Sequence, residues 1–566
     1  MQDALTLDAP RGGRRSRLRS LARACAPTRA ELALALTSAA LLTLSFPDFN
    51  LYPLAWVALV PLMLAVMRRR RVGPAFALGW MTGTLFFYTS CYWLTHAMIH
   101  YGGLPRALAY VLLVPATVAT GLFPAAWAAA LARTSARRGA GAALAVAPMA
   151  WAALEWARLS ITGQLWNALG YSQAYEPALI QTARWGGVYA VGFLAAAFSA
   201  AVAYALLRRS GRGLLASAAA ACAVVAVVIL SNVTRAPEAE SPPVAVVVGV
   251  QPNVSANLGR SRAETDELVA RHLTLSADAL RAWDAARGLG GDGPASQPST
   301  DGGAAPATPP PSSGDTLARV VVWPESPMNF RYARDAAFRQ LVSEFARANR
   351  SAVLFNSLEP APADGAYNSA VLVDAGGRMA AQYDKIRLLP FGEYVPLPRW
   401  LPAAWVLSGV VGDFTPGEDY PLMPLGGGAR AGVFICFESA FPEIARAFAQ
   451  QGADVLVNIS NDGYLGRTPV MRQHLANVVL RAVENGRTVL RVTNTGISAR
   501  VTPRGEVLDA TEGFTPAVRT WATARAAGGQ TFYTRYGDIF VWLCAAASAL
   551  ALLTTFGSRG SRENNA

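Results

Sequence analysis

The chain has 566 residues, 52% of them hydrophobic and only 15% charged, and its formal net charge is +13. These figures exclude both an ordinary soluble protein and a chain buried in lipid throughout, and they predict a mixed architecture. The positive charge stands as short arginine clusters between apolar runs, which is a membrane-topology pattern rather than a nucleic-acid footprint, so no nucleic-acid partner is expected.

Residues 1–29 form a basic arm containing Arg11, Arg14, Arg15, Arg17, Arg19, Arg23 and Arg29. No cleavable apolar core with a small-residue cleavage site follows cleanly, so the arm reads as retained and cytoplasmic. Residues 30–231 read as a membrane domain with seven spans, at about 30–46, 51–67, 73–93, 107–131, 140–156, 188–207 and 213–230. An eighth run, 539–556, belongs to a C-terminal segment 534–566 that ends in a short cytoplasmic tail. Most of these runs approach the ~20 residues needed to cross a bilayer.

Arginines cluster after alternate spans: Arg68 to Arg71, then Arg133, Arg137 and Arg138, then Arg208, Arg209 and Arg212, then Arg559 and Arg562. The positive-inside rule places these ends in the cytoplasm and residues 232–533 outside, in the periplasm of a bacterium bounded by its inner membrane. The loop 158–187 carries Leu165-Trp166-Asn167-Ala168-Leu169-Gly170-Tyr171-Ser172-Gln173, a mixture of aromatics and amides. It reads either as interfacial aromatics or as a substrate-facing ledge on the outer leaflet.

Segment 232–533 alternates strand and helix patterns. Strands are predicted at 244–250, 320–323, 352–355, 431–436, 454–459, 488–492 and 498–502, with a hairpin at 367–373 and 379–383. Helices are predicted at 262–287, 335–349, 442–450 and 470–485. Residues 288–315, rich in Gly, Pro, Ser, Thr and Ala, read as a disordered insertion. The alternation implies a layered α/β domain with its own core.

Three strand ends deliver reactive groups: Glu325 after Val321-Val322-Trp323-Pro324, Lys385 after Tyr383-Asp384, and Cys436 after Phe434-Ile435. The five cysteines are Cys25, Cys91, Cys222, Cys436 and Cys544, and Cys436 alone lies between positions 232 and 533. In an oxidising compartment a thiol with no partner in its domain points to chemistry rather than a disulfide. A thiol needs a base, which a carboxylate can supply, and an ammonium can hold the oxyanion of an acyl-transfer intermediate. Lys385 is the one lysine; the other 49 of the 50 Lys+Arg residues are arginine. A position kept as lysine in such a chain needs a compact point charge. The four histidines show no metal-ligand spacing, and neither metal nor cofactor is expected. His474, early in the 470–485 helix, reads as structural.

Trp323-Pro324-Glu325-Ser326, Tyr383-Asp384-Lys385, the run Leu389-Pro390-Phe391-Gly392-Glu393-Tyr394-Val395-Pro396, Ile435-Cys436-Phe437-Glu438 and Asn458-Ile459-Ser460-Asn461-Asp462 together resemble the nitrilase superfamily. More narrowly, with Leu169 to Gln173 and the eight-span plan, they resemble its bacterial apolipoprotein N-acyltransferase family. The resemblance covers nearly the whole chain, apart from the N-terminal arm and the 288–315 insertion. It implies an extramembrane αββα sandwich beside a multi-pass helical membrane domain. Cys436 would then be the nucleophile, Glu325 the general base and Lys385 the oxyanion stabiliser.

Glu393, Glu438, Phe437, Ser460, Asn461 and Tyr464 would bind substrate or support the triad. Phe437 stands where the family usually has tyrosine, and Tyr464 where tryptophan is common. The implied partners are a phospholipid acyl donor and a diacylated apolipoprotein acceptor, and the enzyme is expected to be a monomer. An amidase or nitrilase tethered to the membrane, using water as acceptor, is the alternative. The apolar stretch 397–411, with Trp400 and Trp405, reads as a membrane-facing arm beside the site.

Overall fold

The computed structural model describes residues 27–234, 241–255, 261–287, 317–325, 328–362, 364–395, 400 and 413–556. The 288–315 segment and Trp405 lie outside these residues. The membrane part contains α1 (Arg29–Ser45), α2 (Val60–Arg69), α3 (Val72–Ser90), a short α4 (Leu94–His100), α5 (Arg106–Arg138), α6 (Ala140–Thr162), α7 (Ala183–Leu207) and α8 (Gly211–Val233). Among the described residues five helices are long and apolar enough to cross a membrane: Tyr52–Arg69, Arg106–Arg138, Ala140–Thr162, Ala183–Leu207 and Gly211–Val233. Shorter or less apolar helices, α1, α3 and the C-terminal Ile539–Leu553, accompany them.

Close packing within lipid relies on small residues. On α3 a Cβ at Gly79 would lie 2.4 Å from the Pro124 carbonyl of α5, and one at Gly121 would lie 2.5 Å from Thr84 Oγ1. The α6 helix also buries two ionisable side chains, Glu155 and Arg158. Both are anchored: Glu155 Oε1 accepts from Trp151 Nε1 at 2.9 Å and from the Leu169 amide at 2.7 Å. Arg158 donates to the Trp166 carbonyl at 2.9 Å.

The second part is a four-layer sandwich. Its first sheet is built from β1 (Pro243–Gln251), β2 (Ala318–Val322), β3 (Ala352–Pro360), β4 (Ala366–Val373) and β5 (Met379–Asp384). The second has β6 (Leu422–Gly426), β7 (Ala429–Ile435), β8 (Val455–Ser460), β9 (Thr488–Thr493), β10 (Ala499–Val501) and β11 (Val507–Leu508). A last strand, β12 (Ala517–Ala524), returns to the first sheet, giving the orders β12-β1-β2-β3-β4-β5 and β11-β10-β9-β8-β7-β6. Both sheets are mixed: β1, β2 and β3 run parallel, as do β7, β8 and β9, with antiparallel strands outside them.

Strand alternation sets the layers. Ala245, Val247, Val320, Val322, Ala370 and Leu372 face the second sheet in one core. Val248, Val321, Val353 and Val371 point the other way, into a core shared with α9 (Arg262–Ala286) and α10 (Ala336–Asn349). The second sheet is covered by α11 (Pro442–Gln450) and α12 (Val470–Asn485). The predicted elements are all present; β6, β11 and β12 are additional.

The α12 helix is buried over almost its whole surface, because the membrane part packs on the side that a free-standing sandwich would leave wet. This corrects the expectation for Leu165 to Gln173. The stretch is buried throughout, wedged between α7 and α12 instead of lying in an interfacial belt, and its Trp166 ring reaches Phe437 of the sandwich. Gln473 is the joint. Its Nε2 donates to the Pro47 carbonyl at 2.9 Å and the Ser90 carbonyl at 3.1 Å. Its Oε1 accepts from Trp93 Nε1 at 3.0 Å and Trp166 Nε1 at 2.8 Å.

Gln473→Leu would strand the Trp166 indole N–H and the Pro47 carbonyl in a dry interface, each unmade bond costing about 1–3 kcal/mol, while Trp93 keeps its bond to the Ser90 carbonyl at 3.1 Å. A melt of the purified protein is expected to show a clear loss of stability. An unchanged melting temperature would mean that the interface does not depend on this amide.

Candidate active site

The β7 strand runs straight into a single 3₁₀ turn, Cys436–Ala440, and then α11. Cys436 occupies that elbow with φ +52°, a left-handed backbone rarely taken by a residue other than glycine. Such strained geometry throws a side chain out of the strand end. The thiol is partly buried. Burial pushes it well up, Glu325 adds to this, and Lys385 and a hydrogen bond from Ser460 work against it. At rest it is protonated and requires a base.

Lys385 follows β5 and is 1% exposed. Its Nζ lies 2.8 Å from Glu393 Oε1 and 3.5 Å from Glu325 Oε1. Burial alone would pull this ammonium down, but Glu393 and Glu325 more than reverse that, so it is raised and stays charged. Glu393 is pinned by its second oxygen, which accepts from the Leu389 amide at 2.7 Å.

Asn368 on β4 completes this half of the site. Its Nδ2 donates to Glu325 Oε1 at 3.0 Å and to Glu393 Oε1 at 2.6 Å, while its Oδ1 accepts from Asn356 Nδ2 at 2.7 Å. One amide thus holds both carboxylates around the lysine. Nothing in the sequence singled it out, since an asparagine in a strand carries no motif.

Glu438 is fully buried and braces the strand ends that carry Lys385 and Cys436 against each other. Its Oε1 accepts from Tyr383 Oη at 2.7 Å and from the amides of Ile386 at 2.8 Å and Arg387 at 3.0 Å, just past Lys385. Its Oε2 accepts from the Ile435 amide at 2.7 Å, just before Cys436. Desolvation raises its carboxyl, and these donors oppose the rise.

Ser460 ends β8 beside the thiol, and Asn461 turns away to hold a loop, accepting from Gly463 N at 3.0 Å and Asn494 Nδ2 at 3.1 Å. The remaining wall comes from the membrane part: Trp166 stacks on Phe437 with centroids 6.0 Å apart, and Tyr101 packs on Tyr464 at 5.1 Å. Trp400, in the expected arm, is 79% exposed. Among the described residues no group of three or more His, Cys, Asp or Glu could hold a metal ion.

Over 545 residues the chain is 34% identical to the apolipoprotein N-acyltransferase of Geobacter metallireducens, covering 93% of this chain and 96% of that one. The chain belongs to the apolipoprotein N-acyltransferase family. Residues 38–201 match the family model for the apolipoprotein N-acyltransferase N-terminal domain, and residues 261–529 match the carbon-nitrogen hydrolase model. The apolipoprotein N-acyltransferase of Nitrosomonas europaea is 28% identical over 91% of this chain and 95% of its own. Among solved structures, a variant of an amidase of the nitrilase superfamily from Nesterenkonia AN1 aligns at 19% identity and TM-score 0.36, covering 54% of this chain and 98% of that one.

Within this apolipoprotein N-acyltransferase family member, the two matched regions correspond to the two parts that meet at Gln473 and Trp166. The residues that sequence reasoning missed, Asn368 and Gln473, are those whose partners lie on other elements.

Proposed function

We propose that the protein transfers an acyl chain from a phospholipid to the N-terminal amine of an apolipoprotein's diacylglyceryl-cysteine, through a thioester on Cys436. The observation that carries this reading is the placement of Cys436: a left-handed elbow facing Lys385 and Glu325, walled by Trp166 from the membrane helices.

In the first half-reaction Glu325 takes the thiol proton and the sulfur attacks the ester carbonyl. The oxyanion forms against Lys385, whose charge is fixed before the substrate arrives. The C–O bond breaks, and the departing lysophospholipid oxygen recovers the proton from Glu325. In the second half-reaction the amine attacks the thioester, Glu325 accepts its proton, the C–S bond breaks and the thiolate is reprotonated. Glu393, Asn368 and Glu438 keep the three groups in register and touch no substrate. Excluding water from the thioester is the remaining requirement, and the aromatic wall serves it.

The reading includes eight spans, since α1, α3 and the helix Ile539–Leu553 would join the five longer candidates. The arginine clusters favour a bacterial inner membrane with the sandwich on the periplasmic side. Incubation with phospholipid, followed by peptide mass measurement, tests the mechanism: an acyl-sized increment on Cys436 is expected, and its absence under turnover conditions would sink the thioester.

Trp400 is proposed to rest against the lipid at the mouth of the site. Trp400→Ser is expected to slow phospholipid turnover several-fold with little change in melting temperature, because an indole so exposed contributes little to the core. A large fall in melting temperature would identify it as a packing residue instead.

A further inference from the structure

His474, near the start of α12, lies beneath the nucleophile elbow and is 3% exposed. Its Nδ1 is 2.8 Å from Asp462 Oδ1, and its Nε2 is 2.9 Å from the carbonyl oxygen of Cys436. Both oxygens are acceptors. The carbonyl has no proton to give. Asp462 is ionised: burial works against its charge, but the Arg491 guanidinium, with Nη2 2.9 Å from Oδ2, holds the carboxyl below the usual carboxylate range.

A neutral imidazole has one N–H and one lone pair. Either tautomer would press a ring lone pair against an oxygen lone pair in a dry site. Turning the ring over would set carbons against both oxygens and lose both bonds. The doubly protonated ring alone satisfies the geometry.

We propose that His474 stands as an imidazolium, a positioning residue that donates to Asp462 and to the Cys436 carbonyl at once. It anchors the left-handed elbow and adds to Lys385 a second positive charge beside the nucleophile. The inference rests on the assignment of Cys436 as nucleophile. The groups that face the ring are Asp462, backed by Arg491, and the Cys436 peptide, with Glu325 and Lys385 beyond the thiol. From the membrane part comes the Trp166 ring, its centroid 5.6 Å from that of His474 and tilted 55°, an aromatic neighbour suited to a cation.

The chain has four histidines, so ¹⁵N-histidine labelling of the full-length protein gives a spectrum simple enough to read. At pH 8 one histidine is expected to show both ring nitrogens protonated. That signal should vanish in His474→Gln and revert to a singly protonated ring in Asp462→Asn, whose amide donates to Nδ1. If His474→Gln does not fold, a chain with His96, His100 and His272 replaced by glutamine leaves the His474 signal alone. A spectrum in which no histidine is doubly protonated overturns the proposal, whether or not any variant folds.

The second readout is alkylation of Cys436 by iodoacetamide across pH, located by peptide mass. His474→Gln is expected to move the midpoint upward and to slow alkylation at pH 7 by about tenfold or more, a shift of about one pH unit. An unmoved profile in a folded variant overturns the electrostatic role. These outcomes are independent of acyl transfer, so failure of the proposed function would appear separately, as an unacylated Cys436.

Discussion

Cys436→Ala is expected to abolish acyl transfer, with no acyl adduct anywhere on the sandwich, while the fold persists. The thiol is free and the elbow is held by other groups: Glu438 through Ile435, and His474 through the Cys436 carbonyl. Alanine keeps that backbone and removes the sulfur. Cys436→Ser should fail almost as completely, because a hydroxyl is a weaker nucleophile with the same base. The measurement is transfer of a labelled acyl chain from phospholipid to a lipopeptide amine. Turnover by the alanine variant would require a different acyl carrier.

Lys385→Arg is expected to cost on the order of 10²–10³ in the rate of thioester formation, the usual loss when an oxyanion donor is removed. The charge survives the substitution, so a site that needed only positive potential would tolerate it. Lys385 is instead enclosed, 1% exposed, with Nζ between two carboxylates that Asn368 holds in place. A guanidinium is wider and planar, and it would pair with Glu393 and Glu325 side by side instead of presenting one N–H to the oxyanion. Single-turnover kinetics separate the steps: phospholipid binding should persist and adduct on Cys436 should appear slowly. Near-normal adduct formation would remove Lys385 from the oxyanion role.

The parts of this site legible in the sequence are those written along one strand. The β-branched run Val320 to Val322 announces a strand end before Glu325, and Val433 to Ile435 does the same for Cys436. The arrangement of layers followed from strand–helix alternation. What could not be read is what depends on a partner far along the chain. Asn368 looks like any polar residue on a strand until Glu325 and Glu393 are placed beside it. The aromatic and amide residues from Leu165 to Gln173 match a bilayer interface in composition, and only α12 packed against them shows that they are buried. The β12 strand has a half-buried, polar-rich pattern that local propensity does not separate from loop. His474 was read as structural, and its two facing acceptors come from Asp462 and from the backbone of Cys436.

The pairing of β12 with β1 bears on how the chain is made. β1 is the first strand of the sandwich to leave the ribosome, and its outer neighbour is the last. Until residues 517–524 arrive, β1 keeps a row of unsatisfied amides and carbonyls along one edge, the kind of edge that invites wrong partners. The second sheet, complete by β11, has no such wait. Biogenesis therefore has a late vulnerable interval, in which an assembled Cys436 elbow coexists with an open first sheet. Ribosome stalling or premature termination between positions 508 and 517 should yield chains that hold Glu325, Lys385 and Cys436 and are nonetheless captured by chaperones or proteases.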